Sequence, residues 1–377
     1  MRDIDLFAGA GGLAIGLKKA GFAPVSLYEW DEFACQTLRQ NITSNKPTLD
    51  GAVEEIDVHE IDWRSVSEPV RLLAAGAPCQ PFSLGGRHLA EQDGRNLFPE
   101  VFRAVRALRP RTILLENVRG LIRPSFRPYF EYILRQLRFP SLKPRHDELW
   151  QEHDRRLVDH ENSNKNRVEY VVTWKQVDAA DYGVPQNRHR VFIIANAPDL
   201  PHYEFPIETH SKNALLRDQL AGTYWERHRR KTSKCADQPP REDNKRPWVT
   251  VRDALSKLPV PSISEAASRM NHWIIPGARV YPGHDGSKLD WPAKTIKAGV
   301  HGVPGGENTL IEDSGEIRYF TLRETALLQT FPNSHVFRGA RLHITRQIGN
   351  AVPCVLSAAI SLPLCKVLAE PEKECVR

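Results

Sequence analysis

Four short apolar runs in the first 120 residues each end in a different polar or glycine-rich signature. This alternation constrains the fold more than any other feature of the chain. IDLF (4–7) runs into AGAGG, PVSLY (24–28) into EWD, VRLLAA (70–75) into GAPC, and TILL (112–115) into ENV. Stretches of helical length lie between them. Short strands separated by helices predict a mostly parallel sheet with helices on both faces. A later run, VFIIA (191–195), extends it. Ligands bind such sheets at the carboxyl ends of the strands, and all four signatures fall there.

The rest of the chain is organised differently. Residues 137–170 are rich in Arg, His, Asp, Glu and Asn and read as a charged, solvated excursion from the sheet. From 201 to 341 the alternation fades, and prolines, glycines, tryptophans and basic residues predict a smaller, irregular, strand- and loop-rich domain. The segment 342–377 is apolar and helical, with QIGNAVP (347–353) opening its final helix, and returns to the first domain, residues 1–200. With 377 residues, 41% of them hydrophobic and 26% charged, the chain has the length and composition of a two-domain globular protein. No apolar stretch approaches the ~20 residues of a membrane span. Asp3 and Asp5 before the first apolar run, and Lys18 and Lys19 after it, argue for strand, turn and helix over a signal peptide. Six cysteines form neither a CxxC pair nor a zinc pattern, so no metal is expected. The net charge of +6 fits a partner carrying phosphates, or a solvated basic surface. It concentrates in WERHRRKTSK (225–234) and REDNKRPW (241–248).

Each signature suggests a chemistry. Gly9, Gly11 and Gly12 let a ligand approach the backbone at a helix start that favours negative charge. The spacing is GxGG and not GxGxxG, which disfavours a dinucleotide; a tight turn also explains it. In YEWD (28–31) an acid can accept from ribose hydroxyls and Trp30 can stack on a purine, or Asp31 can cap a helix. Cys79 stands between Pro78 and Pro81, which fix where its sulfur points. The polar stretch after it suits a mobile active-site loop. Glu116 in ENV suits acid catalysis on the same substrate. Arg188 and Arg190, two apart before a strand, would point the same way if the strand extends that far, and then suit phosphate or carbonyl recognition; a solvated pair also explains them. Asn350 in QIGNAVP could meet a ligand near the first glycine turn.

In this order the motifs DLFAGAGGL, EWD, GAPCQPFS, ENV, QNRHR, RYFTLRETALLQTFP (318–332) and QIGNAVP resemble the cytosine-5 DNA methyltransferase family over nearly the whole chain. The resemblance implies a Rossmann-like domain that uses S-adenosylmethionine and releases S-adenosylhomocysteine. It implies that Phe7, Ala8, Gly9, Gly11, Gly12, Leu13, Pro78 and Asn350 line the cofactor site. Glu29 would hold the ribose, Trp30 the adenine, and Asp57 the adenine amino group, with Asp62 a rival. Cys79 would add to C6 of a flipped-out cytosine, Glu116 would serve N3, and Arg190 would hold O2 with Arg188 assisting. Ser83 and Arg95, and in the target-recognition region Arg279, Lys294, Lys297 and His301, would contact DNA. The setting implied is a monomeric, cytoplasmic bacterial modification enzyme acting on double-stranded DNA, away from membranes, with a restriction endonuclease acting separately. Two alternatives stand beside it: a transfer RNA methyltransferase, and a catalytically silent DNA-binding protein of the same fold.

Overall fold

The computed structural model describes residues 1–78, 96–163, 167–232, 240–262, 271–279, 285–299 and 308–369. Its centre is a seven-stranded sheet made by β1 (Arg2–Leu6), β2 (Ala23–Glu29), β3 (Ala52–Glu55), β4 (Leu72–Ala75), β5 (Thr112–Val118), β6 (Val171–Asp178) and β7 (His189–Asn196). The spatial order is β3-β2-β1-β4-β5-β7-β6. Strands β1 to β5 pair in parallel, while β7 runs antiparallel to both β5 and β6. The two central strands LLAA and TILLENV are buried on both faces, which is why they read as unbroken apolar runs.

Helices cover both faces, as the alternation predicts. On one, Leu6, Leu73, Ala75, Ile113 and Leu115 pack under α3 (Phe98–Leu108) and α4 (Arg127–Arg138). On the other, Leu72, Ala74, Leu114 and Phe192 meet α1 (Gly12–Lys19) and the last helix of the described chain. Helix α2 (Glu32–Ile42) follows β2 and is capped by the Asp31 carboxylate, which accepts from the Ala34 N–H at 2.9 Å. The charged excursion is a packed element. Its helix α5 (Trp150–Ser163) docks on α4 through Arg135–Asp154 and Arg138–Glu161 ion pairs and a Tyr132–His153 hydrogen bond of 2.8 Å.

Beyond β7 the elements are short. Strand β8 (His210–Ser211) pairs with β9 (Arg246–Pro247), and β10 (Ser287–Lys288), β11 (Thr309–Ile311) and β12 (Ile317–Tyr319) form a second small sheet. Helices α6 (Lys212–Leu220), α7 (Thr223–Arg227) and α8 (Val251–Leu255) lie among loops. Much of the basic charge expected to meet phosphates is spent inside this region. Arg227 pairs with Asp218, Arg230 with Asp313, Lys245 with Glu208, and Arg252 bridges Asp290 and Asp313. Helices α9 (Leu322–Leu328) and α10 (Arg341–Asn350) then pack in one apolar cluster with Ala8, Ala14, Leu27 and Leu38. Helix α11 (Cys354–Ala369) follows and packs on α1.

Two expectations about the C-terminal segment are corrected. QIGNAVP closes α10 and does not open the last helix, because Pro353 has no N–H to donate and forces Val352 out of the helical region. The stretch Arg341–Ala369 is also apolar and long enough, by composition, to cross a membrane. It is broken at 351–353, however, and 56% of its apolar window is buried.

Candidate active site

The carboxyl edge of the sheet collects the signatures. After β1 the chain turns sharply, with Phe7, Gly9 and Gly11 at φ of 59, 54 and 84°. Gly11 is the N-cap of α1 and sits in the left-handed region that disfavours a side chain; a Cβ there would also lie 2.7 Å from Leu49. At Gly12 space decides, since a Cβ would lie 2.4 Å from the Val352 carbonyl. The segment after α10 therefore lies directly against the glycine turn, and Asn350, exposed at the end of α10, immediately precedes it in the chain.

Glu29 ends β2 beside this turn. Its Oε2 accepts from the Gly9 N–H at 2.8 Å, and its Oε1 accepts from the N–H groups of Trp30 and Asp31, both at 2.9 Å. Burial raises the carboxyl above its ordinary range, and these three bonds pull it back. A carboxylate has about four lone-pair directions, so one on Oε2 is left for a ligand. Trp30 next to it is 74% exposed, a large apolar face with nothing over it among the described residues. Asp57 lies just past β3, where its exposed carboxylate accepts from the His59 N–H and pairs with the His59 ring at 2.7 Å. That engagement holds Asp57 below the usual carboxylate range.

Two strands along, β4 ends and GAP begins. Asn117 donates to the Ala77 carbonyl at 3.2 Å, and a Cβ at Gly76 would stand 3.8 Å from Glu116 Oε2. Pro78 is the last residue described before Cys79. Cys79, Ser83, Arg95 and His301 lie outside the described residues. Asn117 is a holding residue that the ENV reading passed over; a buried amide beside an acid at a strand end was the available signal.

Glu116 is buried and its Oε1 lies 2.7 Å from Arg190 Nε. The antiparallel register makes this contact, since Val118 pairs with Arg190 and the start of β7 meets the end of β5. Burial pushes the Glu116 carboxyl up, and the Arg190 and Arg188 guanidinium groups pull it partly back. The net direction is the one an acid serving a ring nitrogen needs.

Arg188 departs from expectation. It precedes β7, and its side chain is fully buried. Its guanidinium donates to the carbonyls of Ile296 (2.9 Å), Gly349 (2.6 Å) and Ala351 (3.1 Å). The strand starts at His189, so its alternation does not reach Arg188, whose guanidinium meets these carbonyls while that of Arg190 meets Glu116. Gln186 and Gln329 strengthen the same junction: Gln186 bonds the Leu328 carbonyl and Gln329, which bonds the Ile348 carbonyl. Of the expected DNA contacts, Arg279 and Lys297 are exposed, and Lys294 is paired with Asp285.

A carboxyl edge that offers a glycine turn and an acid to one ligand, and a buried acid two strands away to another, is arranged to bring two substrates together. With this strand order it is the ligand-binding edge of a Rossmann-like, doubly wound sheet. Comparison with known proteins narrows the class. The family described as C-5 cytosine-specific DNA methylase matches residues 1–140 and 147–364, and the chain belongs to it. It is a DNA cytosine-5 methyltransferase. Most of the charged excursion lies inside the match. The Type II methyltransferase M.Eco47II of Escherichia coli is 31% identical over 98% of this chain and 80% of its own length. The Type II methyltransferase M.NgoMIV of Neisseria gonorrhoeae is 30% identical over 97% of each. Among solved structures, a DNMT2 variant of Spodoptera frugiperda shares the fold, with a TM-score of 0.60 at 15% identity over 98% of this chain and 99% of its own.

Proposed function

We propose that the chain methylates C5 of a flipped-out cytosine within a short duplex DNA sequence, through a covalent Cys79 adduct, and protects host DNA in a restriction–modification system. The observation that carries this reading is the buried Glu116–Arg190 pair beside the segment that leads into Cys79. The restriction–modification setting rests on the relatives, which are named Type II methyltransferases.

The residues fit the family's cofactor. The glycine turn and the first N–H groups of α1 suit its amino-acid end, the remaining lone pair of Glu29 its ribose, and the open face of Trp30 its adenine. Asp57 and Asn350 would close the site from either side. S-adenosylmethionine, when bound, supplies an electrophilic methyl group. The chain's own residues do the rest. The Cys79 thiolate forms a bond to C6, the C5=C6 pair moves to C4–C5, and the C4=N3 pair moves to N3. Glu116 gives or shares a proton at N3, and Arg190 holds O2. C5 is then nucleophilic enough to take the methyl group. Loss of the C5 proton to water, return of the N3 proton to Glu116 and departure of the sulfur from C6 as thiolate restore the aromatic ring. C6 is out of reach in a stacked duplex, so the base must leave the helix at a cost of a few kcal/mol. Residues 201–341 act as the target-recognition domain. There Arg279, Lys297 and His301 reach DNA, Lys294 does so on leaving Asp285, and Ser83 and Arg95 contact the strand near the flipped base.

Bisulfite sequencing of DNA from cells expressing the chain tests this. Methylation at one short motif is expected. Cys79→Ala abolishes it, and Glu116→Gln slows single-turnover transfer roughly 10²–10⁴-fold. A folded chain that leaves DNA unmodified, or that methylates transfer RNA in its place, overturns the reading.

A further inference from the structure

Gln329 and Thr330 follow α9 and take no part in the reaction as described. Thr330 has a φ of 61°, in the left-handed region that a β-branched residue rarely enters. The turn is a Schellman motif: the Thr330 N–H donates to the Leu327 carbonyl at 2.9 Å, and the Phe331 N–H to the Ala326 carbonyl at 3.0 Å. Glycine is the ordinary residue at the Thr330 position of that motif. What threonine adds there is a hydroxyl, and its partner lies 25 positions downstream.

The hydroxyl accepts from the Val355 N–H at 3.0 Å, in the first turn of α11. The Gln329 carbonyl accepts from the Cys354 N–H at 3.3 Å, beside it. The Gln329 side chain is fully buried and takes the end of α10, where carbonyls run out of partners within the helix. Its Nε2 donates to the Ile348 carbonyl at 2.6 Å and to the Ala351 carbonyl at 3.2 Å. The amide cannot turn over. Its Oε1 accepts from Gln186 Nε2 at 3.1 Å, and Gln186 is itself fixed because its Oε1 accepts from the Ile296 N–H at 2.8 Å. Turning Gln329 would set one NH2 group against another and leave both α10 carbonyls facing an oxygen.

Two adjacent residues thus hold both ends of Ala351–Val352–Pro353, the crossing from α10 to α11. That crossing is what meets the glycine turn. A Cβ on Gly12 would lie 2.4 Å from the Val352 carbonyl, 3.1 Å from the Ala351 Cβ and 3.4 Å from the Phe331 ring. Asn350 leads directly into it.

We propose that Gln329 and Thr330 are positioning residues for the cofactor: from behind the glycine turn they seat the crossing on Gly12 and set the direction of Asn350, and so shape the pocket for the amino-acid end of S-adenosylmethionine. This rests on the reading that the glycine turn is the cofactor site.

The test is calorimetric titration with two ligands that need no turnover. One is S-adenosylhomocysteine. The other is methylthioadenosine, which keeps the nucleoside and the sulfur but lacks the amino-acid end. Thr330→Gly suits the backbone and lacks the hydroxyl; it folds, and binds S-adenosylhomocysteine severalfold more weakly. Thr330→Ser keeps the hydroxyl and recovers most of that loss. Gln329→Leu weakens binding about tenfold. Affinity for methylthioadenosine stays near wild type in all three. Undiminished binding of S-adenosylhomocysteine by Thr330→Gly and Gln329→Leu overturns the proposal alone. So does a loss that falls equally on both ligands, or one that Thr330→Ser does not recover, since either marks damage to the fold at large. Should Gln329→Leu fail to fold, the two Thr330 variants decide by the same criteria. If the wild type holds methylthioadenosine too weakly to measure, recovery by Thr330→Ser decides. A folded wild type that does not bind S-adenosylhomocysteine overturns the cofactor reading itself, and the positioning role with it.

Discussion

Asp3 and Asp5 point from β1 into the face covered by α1 and α11, with no exposed surface and no hydrogen-bond partner for any of their carboxyl oxygens among the described residues. Burial pushes Asp3 up to about 7. Asp5 goes well above its ordinary range, driven by burial and then by the charges of Asp3 and Glu29. A carboxyl whose folded pKa exceeds its unfolded value of about 4 takes up a proton on folding. Its contribution to stability is complete below pH ~4 and is lost as pH rises through the folded pKa. Asp3→Asn cannot lose a proton and so should escape its share of this decline. Urea midpoints between pH 4 and 8 should diverge in favour of the variant, by up to roughly 1.4 kcal/mol per pH unit up to about 7. Parallel curves would remove the account. At this scale the sequence was legible where an acid closed an apolar run, as at Glu29 and Glu116. It was silent on Arg188, because which carbonyls a side chain meets depends on Ile296 and Gly349, more than 100 residues downstream.

Among the elements, the packing of α1 on α11 is the most demanding. A Cβ at Gly16 would lie 2.2 Å from the Ser357 side chain and 2.6 Å from the Ala358 backbone. Gly16→Ala gains about 1 kcal/mol of helix propensity. Against this, forcing two backbones apart costs about 1–3 kcal/mol. Net destabilisation is expected, read as a lower urea midpoint with unchanged slope; a more stable variant would refute the close approach. Strands β4 and β5 were plain in the sequence because burial on both faces leaves an unbroken apolar run. Strand β6 was not, because as an edge strand it carries Lys175, Gln176 and Asp178 among its apolar residues. The reversal of β7 was also hidden, since no local pattern encodes strand direction. That reversal is what brings Arg190 to Glu116.

At the scale of the whole molecule, one junction ties three distant segments together. Arg188 ties the approach to β7 to Ile296, on the chain returning from the small sheets, and to Gly349 and Ala351 at the end of α10. A Cβ at Gly349 would lie 2.3 Å from the Ala298 backbone, so these segments cross with no space between them. Arg188→Leu leaves buried carbonyls without a donor, at about 1–3 kcal/mol each. Hydrogen exchange should rise at residues 294–299 and 349–353, and duplex DNA should bind more weakly. Arg188→Lys should not restore either, because one ammonium cannot reproduce the fork. Exchange confined to the Glu116 strand would contradict the junction. The overall α/β architecture was legible from the alternation of runs, whereas this junction joins segments far apart in sequence. The same distance has a consequence in time. Ser357 on α11 donates to the Leu13 carbonyl on α1 across 344 positions. At the ribosome's pace of about 5–20 residues per second, α1 and the strand beneath it wait roughly 20–70 s for their cover to be synthesised. For that interval an apolar helix face and two carboxyls bound for the interior are open to water, and the nascent chain is a client for whatever shields such surfaces in the cell.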